Sequence, residues 1–354
     1  FIMPKRKDGR YKVTVQINKK RYYFMGRTLK EAKDKRSAFL DLLEKCPLAT
    51  QKVTLSEWMQ AWLESITPNI SPVTKRDYYY TIKKYVTEAR VGRILLTDLT
   101  PAMFRSYFAT LLKEKSPRTV NNLHTILHAA LKQAAEDGAI PVSPLTNIKH
   151  AKQERKEVSI LRQSQIKEML DLLPEDWTKL YFRIAAYTGL RMGEISGLDC
   201  KWGIDFKRGT IKVMRSVIRV NGKEQLSYDL KNKSSRRTIS IDRETMKLIQ
   251  HHISAMKGTP NPENLLFCDA EGNPIKRNHI EKIARRTFNT MGLPDFTFHG
   301  LRHTHATLLL KEGINFKALQ HRLGHSTFQQ TMDTYGHFIP DLEIGVKETL
   351  KKII

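Results

Sequence analysis

The chain of 354 residues carries 61 Lys and Arg against 36 Asp and Glu, a formal net charge of +25, and 40% of it is hydrophobic. That hydrophobic share supports packed cores rather than a disordered tail, and so large a positive charge selects a polyanionic partner, either nucleic acid or an acidic membrane surface. No apolar run approaches the roughly 20 residues that span a bilayer, Phe1 to Lys7 does not read as a secretory signal, and Cys46, Cys200 and Cys268 are too scattered for a zinc site or a disulfide framework.

These exclusions leave a reducing, cytoplasmic setting and nucleic acid as the leading partner, with a basic RNA-binding protein still open at this point. At roughly 100–200 residues per domain, the length predicts two or three domains. Residues 1–46 predict a three-stranded sheet and one helix. Tyr11, Val13, Val15 and Ile17 alternate with polar residues, as a strand requires. Asn18-Lys19-Lys20 turns the chain into a second strand, Arg21 to Met25, and the turn signal Lys7-Asp8-Gly9-Arg10 places a short strand earlier. Thr28 and Glu31 have capping-box spacing for a helix that follows. Lys12, Lys19, Lys20 and Arg21 make the exposed strand positions basic. Such a face can lie in a DNA groove, and a merely solvated face has the same charge pattern.

After a linker at Cys46 to Lys52, residues 53–148 predict a four-helix unit. Leu55, Trp58, Trp62 and Leu63 form one stripe. Tyr79, Ile82 and Val86 form another. Ser71-Pro72, Thr100-Pro101 and Ser116-Pro117 each put proline at a first helical position, with Ser71 and Ser116 as N-caps. The Trp and Tyr stripes are expected in the core rather than as stacking platforms. Lys75, Arg76 and Arg118, with Lys83, Lys84 and Arg105, are outward positions that could grip phosphates. Asn147 to Glu157 reads as a second linker. Residues 158–354 predict a mixed, mainly helical domain: helices near 163–172 and 178–188, strands at 210–220 and 224–229 about an Asn221-Gly222 turn, a short strand at Thr238 to Ile241, and helices beyond.

Five segments of that last domain carry chemistry-bearing residues. Thr188 to Glu194 has Gly189 ending one helix and Arg191 opening the next. Lys231 to Arg237 is a basic turn between strands. His299 and Arg302 share a helix face at i and i+3. Leu323-Gly324-His325-Ser326 and Thr331 to His337, which contains Tyr335, complete the set. Each alone has an ordinary explanation: a surface arginine, a structural histidine, a solvated turn, a core tyrosine. Their order is what distinguishes them.

That order, Arg…Lys…His-x-x-Arg…His…Tyr, resembles the active-site set of the tyrosine site-specific recombinases. The phrases around Gly189-Leu190-Arg191, His299 to Thr304, Leu323 to Ser326 and Asp333-Thr334-Tyr335-Gly336-His337 carry the likeness, and the N-terminal segment resembles the arm-site-binding domains of integrases from conjugative transposons and related phages. The resemblance implies three domains: 1–46 binding arm-type DNA, 53–148 a helical core-binding domain, and 158–354 catalytic. It implies Tyr335 as nucleophile, giving a 3′-phosphotyrosine. Arg191 and Arg302 would hold the nonbridging oxygens by charge-assisted bonds. His299 would serve as base, and Lys231 or its neighbour Lys233 would protonate the leaving 5′-hydroxyl. His325 would donate to the phosphate, and Glu194 would orient Arg191 or pack the site. No nucleotide or metal is expected, since the chain has neither a phosphate-binding Gly-rich loop nor clustered carboxylates. Expected partners are double-stranded DNA at core-type and arm-type sites, three further copies in a DNA-bound homotetramer, and an excisionase or DNA-bending accessory protein. Asp341 to Ile354 predicts a terminal helix that docks on a neighbouring protomer or on its own domain. A type IB topoisomerase shares the catalytic set, and a non-catalytic DNA-binding regulator could share the fold. The apparent arm-type domain argues against the first and the full set of residue types against the second.

Overall fold

The computed structural model describes residues 9–17, 20–44, 52–153, 159–220, 222–228, 236–327, 329, 331 and 332. The chain divides into two compact units, Phe1–Arg155 and Lys156–Ile354. Among the described residues no helix is long and apolar enough to cross a membrane.

The first unit opens with an antiparallel pair, β1 (Tyr11–Ile17) and β2 (Lys20–Gly26), in register from Tyr11 opposite Gly26 to Ile17 opposite Lys20. The strand expected ahead of Lys7 and the turn residue Lys19 lie outside the described residues, as do the side chains of Lys20 and Arg21. Helix α1 (Leu29–Glu44) starts at the expected Thr28 cap, whose Oγ1 accepts the Glu31 N–H, while the return bond to the Glu31 carboxylate comes from the Arg27 N–H, one residue earlier than in the expected box. Lys12 Nζ lies 3.8 Å from the centroid of the Tyr23 ring, a cation–π contact across the sheet.

Four helices follow as expected: α2 (Leu55–Ile66), α3 (Pro72–Ile82), α4 (Pro101–Leu112) and α5 (Pro117–Glu136). Thr54, Ser71, Thr100 and Ser116 each accept a first-turn N–H, and proline opens the last three, where its missing N–H leaves nothing unsatisfied. Leu55, Met59, Phe104, Leu127 and Leu131 form the buried centre. Trp58 is anchored there by its indole N–H, which donates to the Ala130 carbonyl at 2.9 Å. The tyrosine stripe is a correction. Tyr79 and Tyr80 are exposed, and the inward stripe is Tyr78, Ile82 and Val86, four residues apart, with Tyr78 stacked on Trp62. The start of the expected second linker is fastened to α5. The Asn121 side chain both donates to and accepts from the Ala151 backbone, and His124 Nε2 donates to the Ile148 carbonyl.

The second unit begins with α6 (Gln163–Leu172), α7 (Trp177–Thr188) and the short α8 (Met192–Ser196). Strands β3 (Ile204–Asp205), β4 (Thr210–Val213) and β7 (Arg237–Ser240) form one antiparallel sheet, and β5 (Ser216–Val220) and β6 (Lys223–Ser227) a separate hairpin. The single strand expected over 210–220 is therefore two, in different sheets. The break falls at Arg215, which is buried. Its Nε donates to Gly197 O at 2.9 Å and its Nη2 to Glu263 O at 2.7 Å, with Asp199 ion-paired at 3.5 Å. A buried guanidinium must find such acceptors, and reaching them takes the chain off the ladder. Helices α9 (Arg243–Ala255), α10 (Arg277–Thr290), α11 (Phe298–Lys311) and α12 (Phe316–Leu323) complete the unit. Its core is centred on Tyr181, Phe182, Phe267, Phe288 and Leu301, and the Tyr181 hydroxyl donates to Met192 O, fixing α8 against α7.

Helix α8 lies directly on β5 because two of its contact positions are glycine. A β-carbon at Gly193 would sit 2.6 Å from Val217 O, and one at Gly197 would sit 2.8 Å from Ser216 Cα. Both obstacles are backbone, so neither can swing aside. Gly193→Ala is expected to destabilise the second unit by about 1–3 kcal/mol, the usual scale of overpacking, seen as a lower melting temperature.

Candidate active site

Arg302 sits on α11 and is 3% exposed. Its Nη1 donates to Gly189 O at 2.8 Å and its Nη2 to Leu323 O at 2.7 Å. These carbonyls belong to the C-terminal ends of α7 and α12, which both stop at a left-handed glycine, Gly189 at φ 66° and Gly324 at φ 67°. Unsatisfied carbonyls gather partial negative charge at a helix C-terminus, so two such ends make a natural seat for a buried cation. The fit at Gly189 is close: a β-carbon there would lie 2.7 Å from His305 Cδ2 and 3.0 Å from Leu323 Cδ2.

Arg191 follows as the N-cap residue of α8. Its own N–H donates to Glu194 Oε2 at 2.9 Å and its Nη1 to Glu194 Oε1 at 2.9 Å. Glu194 is buried, and its other partner is Arg237 at the start of β7, which donates Nη1 to Oε1 at 3.1 Å and Nη2 to Oε2 at 2.9 Å. Burial alone would raise the Glu194 pKa. The Arg237 fork, then the charges of Arg237 and Arg191, outweigh it and hold the carboxyl at about 2.

Three histidines surround these arginines, each kept uncharged at neutral pH. His299 lines the cavity, with its ring edge-on to His303 at 4.8 Å between centroids. Desolvation, then the charges of His303, Arg302 and Arg191, hold it at about 4. His325 is buried with Nδ1 2.8 Å from Thr331 Oγ1, and desolvation with the charges of Arg302, Arg191 and Arg237 holds it at about 3. His305 has Nδ1 at 3.1 Å from Ala186 O and accepts the Arg322 Nε–H on Nε2 at 2.9 Å. Its proton is thereby assigned to Nδ1, and burial followed by the Arg322 charge holds it at about 3.

Arg191, Glu194, His299, Gly324 and Ser326 share the wall of a cavity of about 1020 Å³, with Arg277, Glu281 and Arg285 of α10 across from them. Among the described residues Arg191 and Arg237 share the one carboxylate of Glu194, so this trio carries surplus positive charge and suits an anionic ligand. Among the described residues no group of three His, Cys, Asp or Glu could hold a metal ion.

The structure thus brings together Arg191, Glu194, His299, Arg302 and His325. Lys231 and its neighbour Lys233, and Tyr335, lie outside the described residues. In the first unit Lys75 and Arg118 are exposed, whereas Arg76 is half-buried and paired with Asp77 at 2.8 Å. Sequence reading missed Arg237, His305 and Arg322. The signal for Arg237 was present: it shares the two-residue phase of buried Ile239 on β7, so it points inward. Arg322 gave none. It donates to Ser240 O and Tyr187 O as well as to His305, acceptors brought to it by tertiary packing alone.

Residues 159–339 match the family described as the Phage integrase family. Over 98% of its length the chain is 27% identical to a tyrosine recombinase XerC-like protein of Caldanaerobacter subterraneus subsp. tengcongensis, covering 97% of that protein. It is 25% identical to the ICEBs1 integrase of Bacillus subtilis, over 80% of each chain. Its fold is similar to that of the Tn1549 transposon integrase solved in complex with a circular intermediate DNA, with a TM-score of 0.75, 22% identity, and coverage of 84% of this chain and 99% of that one.

The depressed histidine pKa gives a test by acid. His305 has an ordinary value of 6.5 and a folded value of about 3, so the stabilisation from keeping it neutral is complete above 6.5 and is lost as pH falls towards 3. Glu194 acts in the same direction over a lower window, between 4.5 and about 2. Thermal melting against pH is expected to show the second unit weakening steadily below 6.5, and His305→Gln, which can keep both hydrogen bonds but cannot titrate, is expected to flatten that slope.

Proposed function

The chain belongs to the phage integrase family and is a tyrosine recombinase of the conjugative-transposon or phage type; from that premise we propose that its chemistry runs through the cluster around Arg302, with Tyr335 as nucleophile. The observation that carries this reading is that Arg191 and His299 line one cavity beside Gly324 and Ser326, at the end of α12 whose Leu323 carbonyl seats Arg302. In a site shielded from water, each preorganised donor to a developing phosphorane charge lowers the barrier by roughly 3 kcal/mol.

Arg191 and Arg302 hold the nonbridging oxygens of the scissile phosphate. The Tyr335 oxygen attacks phosphorus, the bond to the 5′-oxygen breaks, and Lys231 supplies the proton that the leaving 5′-oxygen requires. His299, neutral at working pH, accepts the tyrosine proton. An anionic phosphate beside it offsets the arginine charges that depress its pKa and makes it a better base as the substrate seats. His325, its Nδ1 2.8 Å from Thr331 Oγ1, donates a hydrogen bond from its other ring nitrogen to the phosphate. The 3′-phosphotyrosine conserves the bond energy, and attack by a 5′-hydroxyl from a second duplex reverses the step to complete strand exchange.

Two duplexes and four cleavages imply a homotetramer on core-type sites. Residues 1–46 take arm-type sites, 53–148 grip the core site, 158–354 cut, and an excisionase or DNA-bending protein sets direction. The likeness to the ICEBs1 integrase and to a transposon integrase bound to circular intermediate DNA supports a mobile element as the substrate.

Covalent trapping tests the reaction. Nicked duplexes tiled across the DNA flanking the gene, mixed with protein in EDTA, are expected to give a protein–DNA adduct on a denaturing gel. Tyr335→Phe is expected to abolish it, and an undiminished adduct from that variant would remove Tyr335 as nucleophile. DNA affinity measured across salt concentrations tests the first unit. Lys75→Ala and Arg118→Ala are each expected to lower the log–log salt slope by about 1, as loss of one phosphate contact does. An unchanged slope would exclude that residue from the interface.

A further inference from the structure

Two guanidinium groups grip Glu194 unequally. Arg237 closes a two-bond fork on the carboxylate and its side chain is 0% exposed, while Arg191 makes one side-chain bond and remains 38% exposed at the cavity. A buried carboxylate with one cationic partner draws that partner inward, because an unbalanced charge in a low dielectric is unfavourable. We propose that Arg237 is a positioning residue for strand cleavage: it neutralises Glu194, so that Arg191, which shares that carboxylate, keeps net positive charge for the phosphodiester instead of serving as the sole counter-ion of Glu194. The proposal rests on the assignment of Arg191 to the scissile phosphate.

The charges of Arg191, Glu194 and Arg237 sum to one positive charge, placed on the member that faces the cavity. Without Arg237 the sum is zero and the exposed arginine becomes the sole cationic partner of Glu194 among the three. Arg237 is also well placed to hold its own orientation. Its Nε donates to Arg322 O on α12 at 2.7 Å, and the next residues of that chain are Leu323, which anchors Arg302, and the Gly324-His325 pair. One side chain therefore ties β7 to α8 and to the end of α12. An ordinary buried salt bridge would have the same geometry, so the test must separate charge balance from scaffolding.

The experiment follows adduct formation on the nicked flanking duplexes at saturating DNA, with DNA affinity and thermal melting measured on the same full-length proteins. Arg237→Met is expected to leave affinity within about threefold and to slow cleavage roughly 100-fold, the scale of one lost preorganised donor. Adding Glu194→Gln removes the unbalanced carboxylate and is expected to restore cleavage by about tenfold or more over the single variant. A scaffolding role predicts that the second substitution leaves cleavage unchanged or lowers it, and that result overturns the proposal. Should Arg237→Met yield no folded protein, the double variant is read against wild type: a loss of about tenfold or less supports charge balance, and a larger loss overturns it. Wild type and Arg191→Ala run alongside. Absence of a wild-type adduct defeats the recombinase reading and the proposal with it, whereas an adduct made by wild type, lost in Arg191→Ala and not recovered in the double variant defeats the proposal alone.

Discussion

A buried carboxylate held between two arginines sets the geometry of the second unit. Glu194 is 3% exposed, and it receives the N-cap N–H of α8, one arm of Arg191 and the full fork of Arg237. A short helix carries little stability of its own, so α8 depends on what it is fastened to. It is fastened at three points: to α7 through Tyr181, to β5 by backbone contact at Gly193 and Gly197, and to β7 through Glu194 and Arg237. Arg191 is held at the cavity by these elements together rather than by its own helix.

Arg302 is placed by a different device with the same logic. Among the described residues its hydrogen bonds go to two peptide carbonyls. Carbonyl dipoles hold a guanidinium in place without cancelling its charge, so it remains attractive to an anion. Glu194 is thus shared by two arginines, while Arg302 is oriented by helix-end carbonyls.

Much of this was legible in the sequence, and the limits follow physical lines. Helices with strong local punctuation read well: the Ser-Pro and Thr-Pro starts and the glycine stop at Gly189 encode their own boundaries. Arg191, His299, Arg302 and His325 were legible because residue type, spacing and order survive without knowledge of packing. Tyr79 was misread because one apolar stripe fits two neighbouring phases when tyrosine occupies both. The strand over 210–220 was misread because alternation continues through Arg215, and only the acceptors waiting for its guanidinium show that the chain must leave the sheet. Arg322 and His305 stayed invisible because, apart from each other, the partners that fix them are backbone carbonyls, and a carbonyl leaves no mark in a sequence.

The two carbonyls that seat Arg302 come from residues 189 and 323, while Arg302 itself lies between them in the chain. The cation's seat therefore does not exist until α12 has been synthesised and has packed against α11. A chain that stops short of Leu323 has the Gly189 carbonyl but not the second one to fix that arginine, so under the proposed mechanism competence to break a strand arrives late in synthesis.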